Sequence, residues 1–154
     1  MVIRRLSHAR RVQALLRQNG VVALLGARQV GKTTLARHIA ASWRGPTTFF
    51  DLEDDVDRRK LQDPGLALRD LTGLVVLDEV QHLPDVFRTL RVLADRPKRP
   101  AQFLVLGSAS PHLLRQTAET LAGRVAFHDM EGLTWDEVKP LRGMSLDRLW
   151  LRGG

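Results

Sequence analysis

The stretch Val21-Val22-Ala23-Leu24-Leu25-Gly26-Ala27-Arg28-Gln29-Val30-Gly31-Lys32-Thr33-Thr34 decides the fold. Its first five residues form a short, continuous apolar run, the pattern of a parallel strand buried on both faces. Gly26 to Thr33 then fit G-x-x-x-x-G-K-[ST], the phosphate-binding loop, or P-loop (Walker A). Each fixed position has its own task. The glycines Gly26 and Gly31 let the backbone curl so that its amides point at phosphate oxygens. Lys32 brings a cation to the β- and γ-phosphates, and the Thr33 hydroxyl is a magnesium ligand. A helix opening at Lys32 aims the positive end of its dipole at the same anion. With ordinary composition, four such positions coincide by chance in roughly 0.5% of chains this long. Here an apolar strand precedes the loop and a helical pattern follows it, so the context agrees with the motif.

Outward from this point, strands and helices alternate. Upstream, Ala9, Val12, Leu15 and Leu16 share one helix face, with Arg10, Arg11 and Arg17 off it, and Asn19-Gly20 closes the helix. Downstream, a helix from Lys32 to Trp43 stops at Gly45-Pro46, and Thr47–Leu52 reads as a second strand. Two short helices fill the charged stretch from Asp54 to Leu71, broken by Pro64-Gly65. Leu74–Leu77 is a third strand, and Pro84 opens a helix with Val86, Leu90 and Leu93 on one face. Phe103–Leu106 is a fourth strand. Ser110-Pro111 caps a helix that runs to Leu121, and Val125–Phe127 is a fifth strand. Alternation at this spacing means parallel βαβ units, so the fold class is α/β. Thr134-Trp135-Asp136-Glu137 has the capping-box pattern of one more helix, and Ser145–Arg152 reads as another. Residues 1–132 are expected to form the domain, and 133–154 the start of a linker or C-terminal region that continues further.

Composition removes several classes of function. The chain has 154 residues, 44% hydrophobic and 27% charged, so it can bury a core and is not disordered. It contains no cysteine, which excludes disulfide frameworks, thiolate metal sites and cysteine nucleophiles, and the default compartment is the cytoplasm. No apolar run approaches the ~18 residues of a membrane span. The net charge is +7, and 20 of the 24 basic residues are arginine. They are scattered and only 5% of residues are aromatic, so the balance permits a nucleic-acid partner without requiring one.

Asp78-Glu79, after four apolar residues, suits the second half of a phosphate site (Walker B). A strand-end aspartate can hold the magnesium shell, and an adjacent carboxylate can polarise the water that attacks the γ-phosphate. Asp51 and Glu53 are the rival pair, but their strand is less apolar. Ser108 falls at the tip of the fourth strand, where a hydroxyl could read the γ-phosphate. Ser110 is the N-cap of the next helix. His82, His112 and His128 form no ligand-spaced set and read as surface or capping residues, leaving magnesium the one metal expected.

With these residues in place, the chain resembles the AAA-type prokaryotic ATPases that join an N-terminal P-loop domain to a C-terminal domain of unknown function. The resemblance rests on Gly26–Leu35, Phe50-Asp51-Leu52, Leu77–Gln81, Leu106–Ser110, Leu121–Arg124 and Leu149–Gly154. The loop residues Ala27, Arg28, Gln29, Val30 and Thr34 strengthen it, Arg28-Gln29 above all. It implies a three-layer P-loop NTPase sandwich with a five-stranded parallel sheet in the order 5-1-4-3-2. It also implies ATP and Mg2+ as ligands, with Thr33 and Asp78 at the metal. Lys32 and Glu79 would be catalytic. Arg124 stands where related ATPases carry an arginine finger that acts on a neighbour's nucleotide, which implies a homo-oligomer in a longer protein.

The leading expectation is an ATPase module that couples nucleotide state to a partner or C-terminal domain. An ATP-switched nucleic-acid-binding module is the second reading. A small-molecule kinase is the third, weakened by Glu79 beside the magnesium aspartate and by the lack of an inserted lid.

Overall fold

The computed structural model describes residues 5–98 and 100–138. In chain order these form α1 (Leu6–Gln18), β1 (Val21–Gly26), α2 (Lys32–Ala41), β2 (Thr47–Asp51), α3 (Asp55–Lys60) and α4 (Pro64–Leu68). There follow β3 (Gly73–Asp78), a 3-10 turn (Val80–His82), α5 (Val86–Ala94), β4 (Ala101–Ser108), α6 (Pro111–Thr120), β5 (Val125–Met130) and α7 (Trp135–Val138). The helix expected over Ser145–Arg152 lies outside the described residues.

All five strands are parallel, in the order β2-β3-β4-β1-β5. This is the expected 5-1-4-3-2 read from the other edge. The central strand β1 is buried at every position. Its alternate residues enter two separate cores, which is why an unbroken apolar run was needed. Val22 and Leu24 face α1 and α2 through Ala9, Val12, Leu16, Leu35 and Ile39. Val21, Ala23 and Leu25 face the other layer through Leu61, Leu68, Phe87, Leu90 and Leu113. The sheet thus lies between two layers of helix, a three-layer α/β sandwich.

Several boundaries differ from the sequence expectation for local reasons. Helix α2 ends at Ala41, two residues early, with Ser42 as its C-cap. Pro84 precedes the α5 helix rather than opening it, and Asp85 provides the N-cap position. Strand β5 runs to Met130 rather than Phe127. Among the described residues it is an edge strand bonded only to β1, so half of it meets solvent and tolerates His128 and Asp129.

His128 also departs from its expected surface role. It is half-buried, and its Nε2 lies 2.8 Å from Nδ1 of His8 on α1. Arg5 can only donate, and its Nη2 lies 3.0 Å from His8 Nε2. His8 therefore accepts at Nε2 and donates from Nδ1 to His128 Nε2, so the pair is neutral. Burial pushes both imidazoles below their ordinary pKa, and the positive charge of Arg5 adds to this at each ring. The buried Arg5 guanidinium then reaches past β5 to Glu137 Oε1 at 2.8 Å and to the Glu131 and Gly132 carbonyls at 2.6 and 3.0 Å. It ties the start of α1 to the segment that follows the sheet.

Candidate functional site

The site forms at the C-terminal ends of the strands, where β1, β4 and β3 deliver Gly26, Ser108 and Asp78. The two loop glycines are required for different reasons. A Cβ on Gly26 would stand 2.4 Å from the Met130 carbonyl oxygen, because β5 pairs there in register. Gly31 instead has φ +99, a left-handed conformation at the N-cap of α2. Gln29 also adopts a positive φ, 64°, without being glycine. No side chain caps α2, so the amides of its first turn keep their polarity for an anion.

Lys32 is only 5% exposed. Its Nζ donates to the Gly26 and Ala27 carbonyls at 3.1 and 2.9 Å, and it makes no ion pair with any described residue. A buried ammonium normally has an anionic partner, because its desolvation is costly. Thr33 Oγ1 donates to Asp78 Oδ2 at 2.7 Å, and the Glu79 amide donates to Asp78 Oδ1 at 3.0 Å. Asp78 is 3% exposed. Burial raises its carboxyl above the usual carboxylate range, the Thr33 hydrogen bond opposes this, and nearby Glu79 and Asp51 add to the rise. A hydroxyl and a carboxylate side by side form a hard-oxygen donor set of the kind that suits Mg2+, which takes few protein ligands and keeps waters and phosphate oxygens.

Glu79 has φ 53 and ψ 47, a strained left-handed conformation for a side-chain-bearing residue. Its carboxylate accepts a hydrogen bond from Gln81 Nε2. The Gln81 Oε1 is buried without a hydrogen-bond partner among the described residues.

Residues 18–139 match the family described as AAA domain. The chain belongs to that family. At that level its function is nucleotide binding of the ATPase type. All 154 residues align at 49% identity with uncharacterized proteins of Mycobacterium tuberculosis and Mycobacterium bovis, and the chain spans 34% of their length. Among solved structures, the Walker-type ATPase of Pyrococcus abyssi is similar at TM-score 0.65 and 16% identity, over 88% of this chain and 55% of that one. The P-loop NTPase domain of the sigma-54 transport activator from E. coli is similar at TM-score 0.52 and 21% identity, over 86% of this chain and all of that one. These likenesses are of fold.

The remaining expected residues of this AAA domain divide into two groups. Ser108 lies opposite Gly26 in register, beside the loop. Asp51 lies opposite Asp78, so the rival aspartate shares the same strand-end row. Ala27, Arg28 and Thr34 are exposed around the loop, with Val30 and Gly31 half-buried, and Arg28 pairs with Glu53 at 3.5 Å. Arg124 belongs to the opposite end of the sheet. It precedes β5, whose first residue Val125 pairs with Val21 at the start of β1. Its Nε donates to Asp95 at 2.6 Å and its Nη1 to the Ala122 carbonyl at 2.9 Å. Six residues of β1 separate it from the loop, about 20 Å at 3.3 Å per residue, so it cannot reach phosphates on its own chain.

Two contributors escaped sequence reasoning. Met130 forms the wall behind Gly26, and no motif marks it. Gln81 holds Glu79; the sequence places it in the Leu77–Gln81 stretch of the resemblance but gives it no role there.

Proposed function

We propose that this domain binds ATP with Mg2+ and hydrolyses it, and that the nucleotide state is passed to a partner or to a C-terminal region. The single observation that carries this reading is the buried Lys32, a cation whose partners among the described residues are two carbonyls. A triphosphate supplies the missing negative charge. The loop amides from Gly26 to Thr34 would cradle the phosphates, and Lys32 would lie against the β- and γ-oxygens. Thr33 and Asp78 would hold Mg2+, which neutralises phosphate charge when bound. Ser108, beside Gly26, would report the γ-phosphate. Glu79 would orient and polarise the attacking water, and to do so its carboxylate must leave the Gln81 amide. Arg124 would serve a neighbouring subunit's nucleotide, after release from Asp95. We place the domain at residues 1–132 and its compartment in the cytoplasm. Among the described residues no helix is long and apolar enough to cross a membrane.

Two substitutions test this division of labour. Glu79→Gln keeps shape and ATP affinity but lowers turnover by about 10²–10⁴, the usual worth of a positioned base. Asp78→Asn weakens the magnesium dependence of ATP binding. Equal loss of binding in both variants contradicts the assignment.

A further inference from the structure

A second charged feature lies away from the loop. A groove of about 520 Å3 runs between α1 and the end of α2. One wall is the α1 stripe Arg10, Gln13 and Arg17, spaced i, i+3 and i+7 on one helix face. The other wall includes Trp43 and Arg44, just past α2, and Gln102 lies between them at the start of β4. Gln13 Nε2 donates to Ser42 Oγ at 3.0 Å, which ties one wall to the other.

No carboxylate is among the described residues that line this groove. Arg10, Arg17 and Arg44 make no ion pair with any described residue, whereas Arg5, Arg28, Arg58 and Arg124 all do. The contrast with the opposite layer is direct. There a groove of about 690 Å3 between α5 and α6 carries Arg88 and Arg91, but Asp95 and Glu119 line it too. The α1–α2 groove thus gathers its arginines with no carboxylate beside them, whereas the α5–α6 groove does not. Two of the three arginines are also spread along one helix. Two helical turns separate Arg10 from Arg17, about 10.5 Å at 1.5 Å per residue. A small phosphorylated molecule calls for cations converging on one point, whereas charges spread along a groove match a chain of phosphates. Trp43 packs on the core of this face while lining the groove, and it offers an aromatic surface to a base. The amides of Gln13 and Gln102 can each donate to and accept from base edges.

We propose that the α1–α2 groove binds single-stranded nucleic acid, with Arg10, Arg17 and Arg44 on successive phosphates and Trp43 beneath a base. The α2 helix of ten residues, about 15 Å long, separates this groove from the P-loop, so strand and nucleotide can be bound together. The inference stands independently of ATP hydrolysis.

The test is fluorescence anisotropy of a labelled 20-nucleotide oligothymidylate against the full chain in ~50 mM salt. Three phosphate contacts give a log–log salt slope near −2, at about −0.7 per contact on a single strand. The double reversal Arg10→Glu/Arg17→Glu weakens binding at least about 10-fold and flattens that slope, because two of the contacts are lost. Arg88→Glu/Arg91→Glu changes net charge equally on the other face and shifts affinity less than about 3-fold. Binding quenches tryptophan emission, and Trp43→Phe removes most of that quenching. A 20-base-pair duplex and polyglutamate both compete poorly. Failure of the oligonucleotide to bind, or equal weakening by both double reversals, overturns the proposal. Displacement by polyglutamate as effective as by unlabelled oligothymidylate also overturns it, in favour of an acidic protein partner. An equally effective duplex overturns the single-strand assignment.

Discussion

Asp78→Asn should stabilise the nucleotide-free protein while impairing its magnesium-dependent function. Asp78 is a buried carboxylate whose neighbours include Glu79 and Asp51. Asparagine can keep both existing hydrogen bonds. Its Oδ1 accepts from the Glu79 amide, and its Nδ2 donates to Thr33 Oγ1, whose hydroxyl turns away. The substitution thus removes a desolvated charge without orphaning a polar group. Replacing buried charges by neutral groups often stabilises by 1–4 kcal/mol; with the geometry retained we expect about 1–2 kcal/mol. For a domain of this length that is a rise in Tm of about 2–8 °C. The effect depends on pH with a defined sign. Burial raises the folded-state pKa of Asp78 above its unfolded value. The contribution of Asp78 is then fully present below the unfolded pKa and is lost as pH rises through the folded pKa. The advantage of Asp78→Asn over the parent is therefore largest near pH 7 and shrinks towards acid. Urea unfolding in EDTA between pH 4 and 8 measures it. A variant less stable than the parent by a constant amount across that range refutes the argument and makes Asp78 a structural strand-end residue.

Other outcomes follow from the same geometry. Arg124→Ala should lower turnover by up to about 10³ while sparing ATP affinity, and activity should rise with protein concentration. Mixing it with Glu79→Gln should restore part of the rate, since each variant keeps what the other lacks; hydrolysis unaffected by Arg124→Ala at every concentration would remove the finger. Gly26→Ala should cost about 1–3 kcal/mol and weaken nucleotide binding, because the new Cβ meets the Met130 carbonyl rather than a yielding side chain. An unchanged unfolding midpoint with full ATP affinity contradicts the close packing of β5 on the loop.

The P-loop and its strand were legible because both signals are local. An apolar run can only be a strand buried on both faces here, and four fixed residues carry the phosphate chemistry. Asp78-Glu79 was legible for the same reason, as an acidic pair ending an apolar strand. What sequence could not supply was contact between distant segments. Gly26 is glycine because of Met130, a hundred residues later, so its reason is a close approach and not a backbone angle. His128 reads as a surface or capping residue in the sequence because its partner, His8, lies 120 positions away. Arg5 and Glu137 pair across 132 positions, with no pattern in either neighbourhood to announce it. The far half of β5 carries no apolar pattern, because an edge strand can hold polar residues without losing its ladder. Strand order came from family resemblance, since alternation alone leaves several orders open.

The most direct measurement is the thermal midpoint of parent and Lys32→Ala with and without ATP and Mg2+. At a ligand concentration 100 times Kd, binding stabilises the parent by about 2.7 kcal/mol, a rise of about 5–10 °C. Lys32→Ala should show no such rise, because the phosphates lose the buried cation that the fold holds for them. An equal ATP-induced rise in both proteins would put the nucleotide elsewhere and contradict the account.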